Sequence, residues 1–459
     1  LADPRYICMP AITTAAGGRT FLATGHIAHH GREWETVNKL IARNGYNGTV
    51  LWQRNLPDGY LSHRSAFVAT ADIFYMLDGD SCLMLDAATG KEKGRIHVPG
   101  TEGHWKWMVI KDGVMYVMAG PESGDAVPIK GDRIFGGWSW ADLSQGYYQR
   151  PQVPWGFGKT VAAYDIEKKT VLWMHSEDKP IDSRAMTTSG DKLYIYCPDS
   201  KLRCLDTATG KVLWTTTDPE VCKLIEEPGK GLISTPGFRS CCLAVASDDA
   251  VIIQGQTRAN VVAVSPKDGS LLWSKKKITN NPNVLFVDGK AILGVGPGGS
   301  HVVVDPLTGE VLEDLKFRKA GCTRLTACED SFFVRGEGTL RFDRKTKKIL
   351  VDGAVRPACN DGALPANGML YLGPWACDCN LSLIGAMGKC SAGDFRFDHT
   401  AIDAERLTVG EGDVQNVAPL EMSAGDWPRF LGPDADGKSP ETGINTDWTA
   451  KPPAVLWRV

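Results

Sequence analysis

Four groups of residues in this chain have the types and spacing to do chemistry. His26, His29 and His30, in the stretch GHIAHHGRE, could offer imidazole nitrogens to copper, zinc or nickel. A tetrahedral site wants a fourth ligand, which this stretch does not supply, and a solvated or substrate-facing loop is the other reading. Cys241 and Cys242 are adjacent. They stand as free thiols, as halves of separate bridges, or as a vicinal disulfide with its demanding local geometry. The third group recurs along the chain: His63-Arg64, His104-Trp105, Ser183-Arg184, Asn283, Cys322 with Arg324, and Arg356 with Cys359. Arg and His placed side by side can grip an anion such as a carboxylate through charge-assisted hydrogen bonds, or can tie loops to backbone carbonyls. The fourth group is aromatic: Trp138, Trp140, Tyr147, Tyr148 and Trp155 lie in one Gly- and Pro-bearing segment. Flat rings there suit stacking on a sugar, a ring or a partner protein, or plugging a channel.

The elements that must position these groups repeat. Eight times a hydrophobic strand runs into a short turn, usually with Asp a few residues before Gly, and then into a second apolar run that often ends in Trp. The turn anchors are Gly48, Gly90, Lys169, Gly210, Gly269, Gly309, Lys347 and, least clearly, Gly388, separated by 42, 79, 41, 59, 40, 38 and 41 residues. Most intervals lie near 40, with no helical periodicity between copies, which is the signature of a β-propeller blade. A Gly supplies positive φ, and Asp or Asn bonds backbone groups in the turn. A four-stranded blade cannot bury both faces alone, so blades must stack in a closed ring. Unrelated hairpins of a β-sandwich would show no fixed period.

With strands lettered A to D from the axis outward, B-to-C loops and D-to-A links share one face, and A-to-B and C-to-D turns share the other. The Gly anchors are C-to-D turns. Every long insertion falls opposite them: 25–38 in blade 1, the aromatic segment in blade 3, the link into blade 5 and the Cys-bearing loop of blade 8. The elaborated face is where function is expected. The Arg and His residues of the third group lead the inner strands at that face and converge on the channel mouth. Cys359 leads the inner strand of blade 8 and Cys377 and Cys379 sit in the same blade's B-to-C loop, so a bridge from Cys359 to one of them is expected.

Composition narrows the classes. The chain has 459 residues, 43% hydrophobic, so it can bury a large core. Its formal charge of -3 gives no electrostatic case for nucleic acid or an anionic membrane, and no apolar run approaches the ~18 residues of a membrane span. The sequence opens LADPRYICMP, without Met, and is read as a processed product or a piece of something longer. Thirteen Cys residues, six of them in the last two blades, lead us to expect disulfides and a periplasmic or extracellular location. No serine triad, Gly-rich phosphate loop, zinc-finger spacing or covalent-haem motif stands out.

The D-x-x-T-G-x-x-x-W copies resemble the repeats of quinoprotein-type propellers, the superfamily of pyrroloquinoline-quinone (PQQ)-dependent alcohol dehydrogenases and their cofactor-free relatives. The resemblance implies an all-β, eight-bladed propeller of the quinoprotein alcohol dehydrogenase-like type. More narrowly, GCTRLTACEDSFFVRGEGTLRFD and RPACNDGALPANGMLYLGPWACDCNLSLIGA, covering roughly 315 to 390, look like the last blades of large multidomain secreted proteins of planctomycete-type bacteria. The expected organisation is a propeller over 1–395, a linker over 396–425, and a lead-in to a further module over 426–459, whose Trp-Pro start and strand ending in Trp457 resemble the opening of another such propeller. Quinone-dependent members hold Ca²⁺ with oxygen ligands and in many cases carry a vicinal disulfide over the ring. Cys241-Cys242 looks like that disulfide, but no Glu/Asn/Asp calcium set is recognisable. The leading expectation is therefore a binding or scaffolding module that meets other domains or subunits, or a small-molecule or glycan ligand. A dehydrogenase using PQQ and Ca²⁺ is second, and a metal-binding or electron-transfer module is third.

Overall fold

Each blade grows from a turn that its own side chains close. At Asp86 the carboxylate accepts from the backbone N–H of Ala88 at 3.1 Å and of Thr89 at 2.9 Å, and from the Thr89 hydroxyl at 2.9 Å. Asp206, Asp305 and Asp343 repeat the arrangement, and Asn44 does the same through its amide oxygen. The following Gly90, Gly210, Gly269 and Gly309 have φ of 70°, 69°, 75° and 73°, the region that L side chains avoid.

The computed structural model describes residues 13–24, 39–56, 66–120, 156–226, 243–255, 260–276, 284–294, 299–318, 323–353, 355–357, 362–372, 387–390 and 450. Their strands form eight antiparallel sheets, each in chain order. Blade 1, for example, runs Thr13–Ala16, Arg19–Thr24, Lys39–Asn44 and Val50–Asn55. Seven sheets have four strands and the last, within 363–390, has three among the described residues. The ring closes on itself. The inner strand of blade 1 touches that of blade 8, and the Gly18 N–H donates to Asn367 Oδ1 at 3.3 Å. Contacts gather 1–391 into one compact unit and 392–459 into a second, of which only Ala450 is described.

What joins blade to blade is a Trp at the third or fourth residue of the outer strand. Trp52 donates its indole N–H to Ala87 O at 3.1 Å, Trp173 to Thr207 O at 2.8 Å, Trp214 to Pro266 O at 2.9 Å and Trp273 to Pro306 O at 2.8 Å. In every case the carbonyl belongs to the C-to-D turn of the next blade, and the ring lies on that turn's Gly. A Cβ added to Gly90, Gly210 or Gly309 would lie 2.6, 2.5 or 2.7 Å from the indole, and one on Gly269 would lie 2.7 Å from Trp214. A register shift beside each Trp aims it: Trp52 pairs with Ala42, Trp173 with Ala163, Trp214 with Cys204 and Trp273 with Ala263, and the residue before the Trp is bulged out. The opposing residue is small each time, leaving room for the indole.

At two of the junctions without this dock, those after blades 2 and 6, the sequence compensates at both sides. The Trp position is Gly94 in blade 2 and Glu313 in blade 6, opposed by Met84 and Val303. The next blade's Gly is then a lysine, Lys169 at φ 56° and Lys347 at φ 58°. At the second junction Lys347 Nζ meets Glu313 Oε1 at 2.9 Å. Lysine is tolerated in both turns because no indole covers them.

Two expectations need correction. Gly388 is not a C-to-D turn: it lies within the third strand of blade 8, Met387–Cys390, paired with Tyr371. The weak eighth match aligned a strand Gly with turn glycines because it lacked their Asp and Thr. The link into blade 5 also begins with an α-helix, Pro219–Glu226. Asp218 caps it by accepting from Glu220 N at 2.9 Å, and Val221 and Ile225 bury against Tyr194 and Val262.

The dock predicts opposite effects at equivalent turn positions. Trp214→Ala should cost about 3–5 kcal/mol in chemical denaturation. Gly210→Lys should destabilise strongly, whereas Lys169→Gly should stabilise by about 1 kcal/mol, because it only relieves left-handed backbone strain.

Candidate functional site

The two faces of the ring differ in construction. A-to-B turns such as Asp112-Gly113, Asp288-Gly289 and Asn367-Gly368 are tight, with positive φ, and the described C-to-D turns on the same side are those closed by Asp or Asn. The opposite face carries the helix Pro219–Glu226, the single-turn 3-10 helix Ser183–Ala185 and the long connections.

On that face the inner strands of four blades are led by basic side chains. His104 opens the inner strand of blade 3, His104–Lys111. Its neighbour Trp105 is core, its indole N–H reaching Thr101 Oγ1 at 3.2 Å. Arg184 precedes blade 4 in the 3-10 turn. Arg324 precedes the inner strand of blade 7, Thr326–Ala327, and Arg356 precedes that of blade 8, Ala363–Ala366. In a ring of eight, blades 7 and 8 stand across the channel from blades 3 and 4.

Arg184 serves the fold. Its guanidinium is buried and donates from Nε to Asp182 Oδ1 at 2.8 Å and from Nη2 to Oδ2 at 2.5 Å, while its backbone N–H donates to Oδ1 at 3.0 Å. The carboxylate is fully buried, so the partner at this position is a side-chain carboxylate, which neither the anion reading nor the backbone-carbonyl reading named. Arg356 is 2% exposed, in a segment held where Thr339 Oγ1 donates to Val355 O at 2.8 Å and Thr323 Oγ1 to Pro357 O at 3.5 Å. His104, Arg324 and Arg356 all make further interactions within the chain. His63, Arg64, Cys241, Cys242, His26, His29, His30, Cys359, Cys377 and Cys379 lie outside the described residues, as does the aromatic segment of blade 3.

Two charged sites were not anticipated. Lys106, third in the inner strand of blade 3, is 4% exposed, and burial pulls its ammonium down to about 8. A lysine between two tryptophans in an otherwise apolar strand, HWKWMV, was the available signal. The second site bridges blades 3 and 4 around buried Glu177, which accepts from His175 Nε2 at 2.6 Å and Arg203 Nη1 at 2.7 Å and pairs with Lys201 Nζ at 3.0 Å. Burial pushes this carboxyl up, but the bonds from His175 and Lys201 and the Arg203 charge outweigh it, so it stays below the usual range. His175 lies two residues away on the same strand, whereas Lys201 and Arg203 come together from one strand of blade 4, so spacing marks only the His175 half of it.

The described cysteines, Cys82, Cys197, Cys204, Cys222, Cys328 and Cys390, are free thiols. Burial drives Cys82 upward and Cys197 and Cys204 to about 12, which makes them packing residues without nucleophilic character. Among the described residues no three His, Cys, Asp or Glu gather as a metal site, and no helix is long and apolar enough to cross a membrane.

Residues 158–351 match the family described as outer membrane protein assembly factor BamB. A quinoprotein ethanol dehydrogenase of Pseudomonas aeruginosa is 25% identical over 164 residues, 34% of this chain and 24% of that protein, so the match spans about a quarter of the relative. Among solved structures, the computationally designed Ika8 protein has a TM-score of 0.52 at 13% identity, covering 84% of this chain and 96% of that one. BamB from Moraxella catarrhalis has a TM-score of 0.45 at 13% identity, covering 84% and 99%. Quinohemoprotein alcohol dehydrogenase from Comamonas testosteroni has 0.47 at 12%, covering 81% and 72%. The chain is a nearly all-β, eight-bladed propeller.

Because the Glu177 carboxyl is held low, its contribution to stability is complete above the unfolded-state value of about 4.3 and disappears as pH falls through the folded value. Glu177→Gln should be less stable than wild type at pH 7 and should lose less further stability between about pH 5 and pH 3, read by denaturant midpoints across that range. Asp182→Asn, which leaves Arg184 buried without its counter-charge, should cost about 3–5 kcal/mol in the same measurement.

Proposed function

We propose that this propeller is an extracytoplasmic binding module of a larger protein, taking a small anionic ligand at the channel mouth on its loop-bearing face. One observation carries the reading. Among the described residues, the basic side chains His104, Arg184, Arg324 and Arg356 lead inner strands on that face, with Lys106 two residues beyond His104. Basic side chains in this position suit a ligand of negative charge, and guanidinium groups suit carboxylates in geometry as well as sign. Other domains of the same protein are the further partners that fit a module of this kind.

The same residues do not fit calcium. A hard cation takes six to eight oxygen ligands, and the described mouth offers cations in their place, so no step is routed through a calcium-bound quinone. The dehydrogenase reading draws on the partial likeness to the Pseudomonas enzyme, and the resemblance of Cys241-Cys242 to the vicinal disulfide keeps it testable.

Titration with oxalate and citrate at low salt, followed by calorimetry and thermal shift, should show binding that weakens as ionic strength rises. Arg356→Gln should weaken it at least tenfold. No binding, or binding that Arg356→Gln and Arg324→Gln leave unchanged, would remove the anion reading. Alcohol-dependent dye reduction after adding the quinone and Ca²⁺, abolished by Cys242→Ser, would install the dehydrogenase reading instead.

A further inference from the structure

At every junction whose two sides are described, the residue in the receiving turn tells whether an indole lies over it. Gly90, Gly210, Gly269 and Gly309 each receive a Trp, and Lys169 and Lys347 receive none. The receiving turn of blade 1, next to blade 8, carries Gly48 at φ 76°. No described residue comes within 4 Å of where its Cβ would stand, whereas an indole lies 2.5 to 2.7 Å from that point at the four docks.

Blade 8 has the room that a docked Trp needs. Tyr371 follows the A-to-B turn glycine Gly368 by three residues, as Tyr116 follows Gly113 and Phe21 follows Gly18. Phe21 and Tyr116 each lie with ring centroids 6.0 Å from their blade's docked Trp, and each pairs with the small residue that accommodates the indole, Ala42 and Ala163. Tyr371 pairs with Gly388. Its hydroxyl also reaches the turn of blade 1, where a Cβ on Gly45 would lie 2.5 Å from it. Gly45 follows Asn44 as Ala87 follows Asp86 and Thr207 follows Asp206, so its carbonyl takes the place of those to which Trp52 and Trp173 donate. Met387–Cys390 is the outermost strand of this blade among the described residues, and an outermost strand offers its backbone groups to a further chain. Towards blade 7 the same edge borders a groove of about 650 Å³ lined by Leu350, Val351, Met369, Leu370, Lys389 and Cys390.

We propose that this edge docks one extended strand of a partner polypeptide that reads aliphatic–Leu–Trp. The strand pairs antiparallel with Met387–Cys390. Its Trp lies opposite Gly388 with the indole on Gly48 and the N–H directed to Gly45 O, and its alternate side chains enter the groove towards blade 7. The motif is that of the four filled copies, Val50-Leu51-Trp52, Val171-Leu172-Trp173, Val212-Leu213-Trp214 and Leu271-Leu272-Trp273. Assignment to a partner rests on the proposed role as a module that meets other domains; the site itself rests on the ring and not on the anion at the mouth. The chain holds one more such run, Val455-Leu456-Trp457, and a Trp457 variant separates the two sources.

Calorimetric titration of the full chain with the end-capped peptide KVLWTT, the sequence of 211–216, should show binding. The same peptide with Ala in place of Trp should bind at least tenfold more weakly, as should the Trp peptide to Gly48→Lys. That variant keeps the fold, because Lys169 and Lys347 hold the equivalent turn position. Bound peptide should slow amide exchange in Met387–Cys390, and oxalate should leave the affinity unchanged. Binding that Gly48→Lys leaves intact, or no binding by either wild type or Trp457→Ala, overturns the site. Binding that appears only in Trp457→Ala overturns the partner and assigns the edge to this chain's own 455–457. Competition by oxalate overturns the location at the rim.

Discussion

The ring depends on an indole laid over a glycine of the next blade. Each dock at Trp52, Trp173, Trp214 and Trp273 combines an apolar ring nearly out of water with a hydrogen bond from its N–H to a turn carbonyl. Burying a Trp of this size is worth several kcal/mol, at ~25 cal/mol per Å² over ~200 Å². The constraint propagates in both directions. The receiving turn must carry Gly, the residue opposite the Trp must be small, and the strand must bulge to aim the ring. Where the Trp is absent, at Gly94 and Glu313, the bulge remains but the other two demands relax together: Met84 and Val303 replace the small residue, and Lys169 and Lys347 replace the Gly.

This lock leaves the two faces free to differ. Docking uses the outer strands and the C-to-D turns, so those turns cannot vary without loosening the ring. The B-to-C loops and D-to-A links carry no part of the dock, and length accumulates there. Charge follows the same division. Exposed pairs such as Lys168–Asp165 at 3.0 Å decorate the turn side, while the buried assemblies, Arg184 with Asp182 and the cluster around Glu177, lie along strand ends towards the loop side. Surface pairs of the first kind contribute little. Buried ones are costly to break, which makes them positioning devices for the segments that lead the inner strands.

The basic residues at the mouth therefore have unequal standing. Arg184 is committed to Asp182 and holds its turn in place. Arg324 comes from blade 7, across the ring from His104 and Lys106 of blade 3, and Arg356 from blade 8, across from Arg184 of blade 4. The proposed ligand follows from the basic type of these residues more than from the sequence likeness to a dehydrogenase, which covers only about a third of the chain.

Repeat, turn chemistry and strand pattern were legible in the sequence because they are local. An Asx-type turn is closed by residues two and three apart, and a blade is a run of neighbouring hairpins, so a period near 40 with Asp, Thr, Gly and Trp at fixed offsets determines the propeller and which turns share a face. The same offsets showed that His104, Arg184, Arg324 and Arg356 lead inner strands. Partnership across blades was decided by tertiary structure. Nothing in the spacing says that a Trp serves the following blade's Gly in place of its own, or that Glu177 collects Lys201 and Arg203 from the next blade, because those contacts depend on how one twisted sheet stacks on the next. Lys106 divides between the two. Its type and apolar neighbours are visible in the sequence, but the bulge that sets Trp105 and Trp107 on opposite faces arises only when the strand must pack against two blades at once.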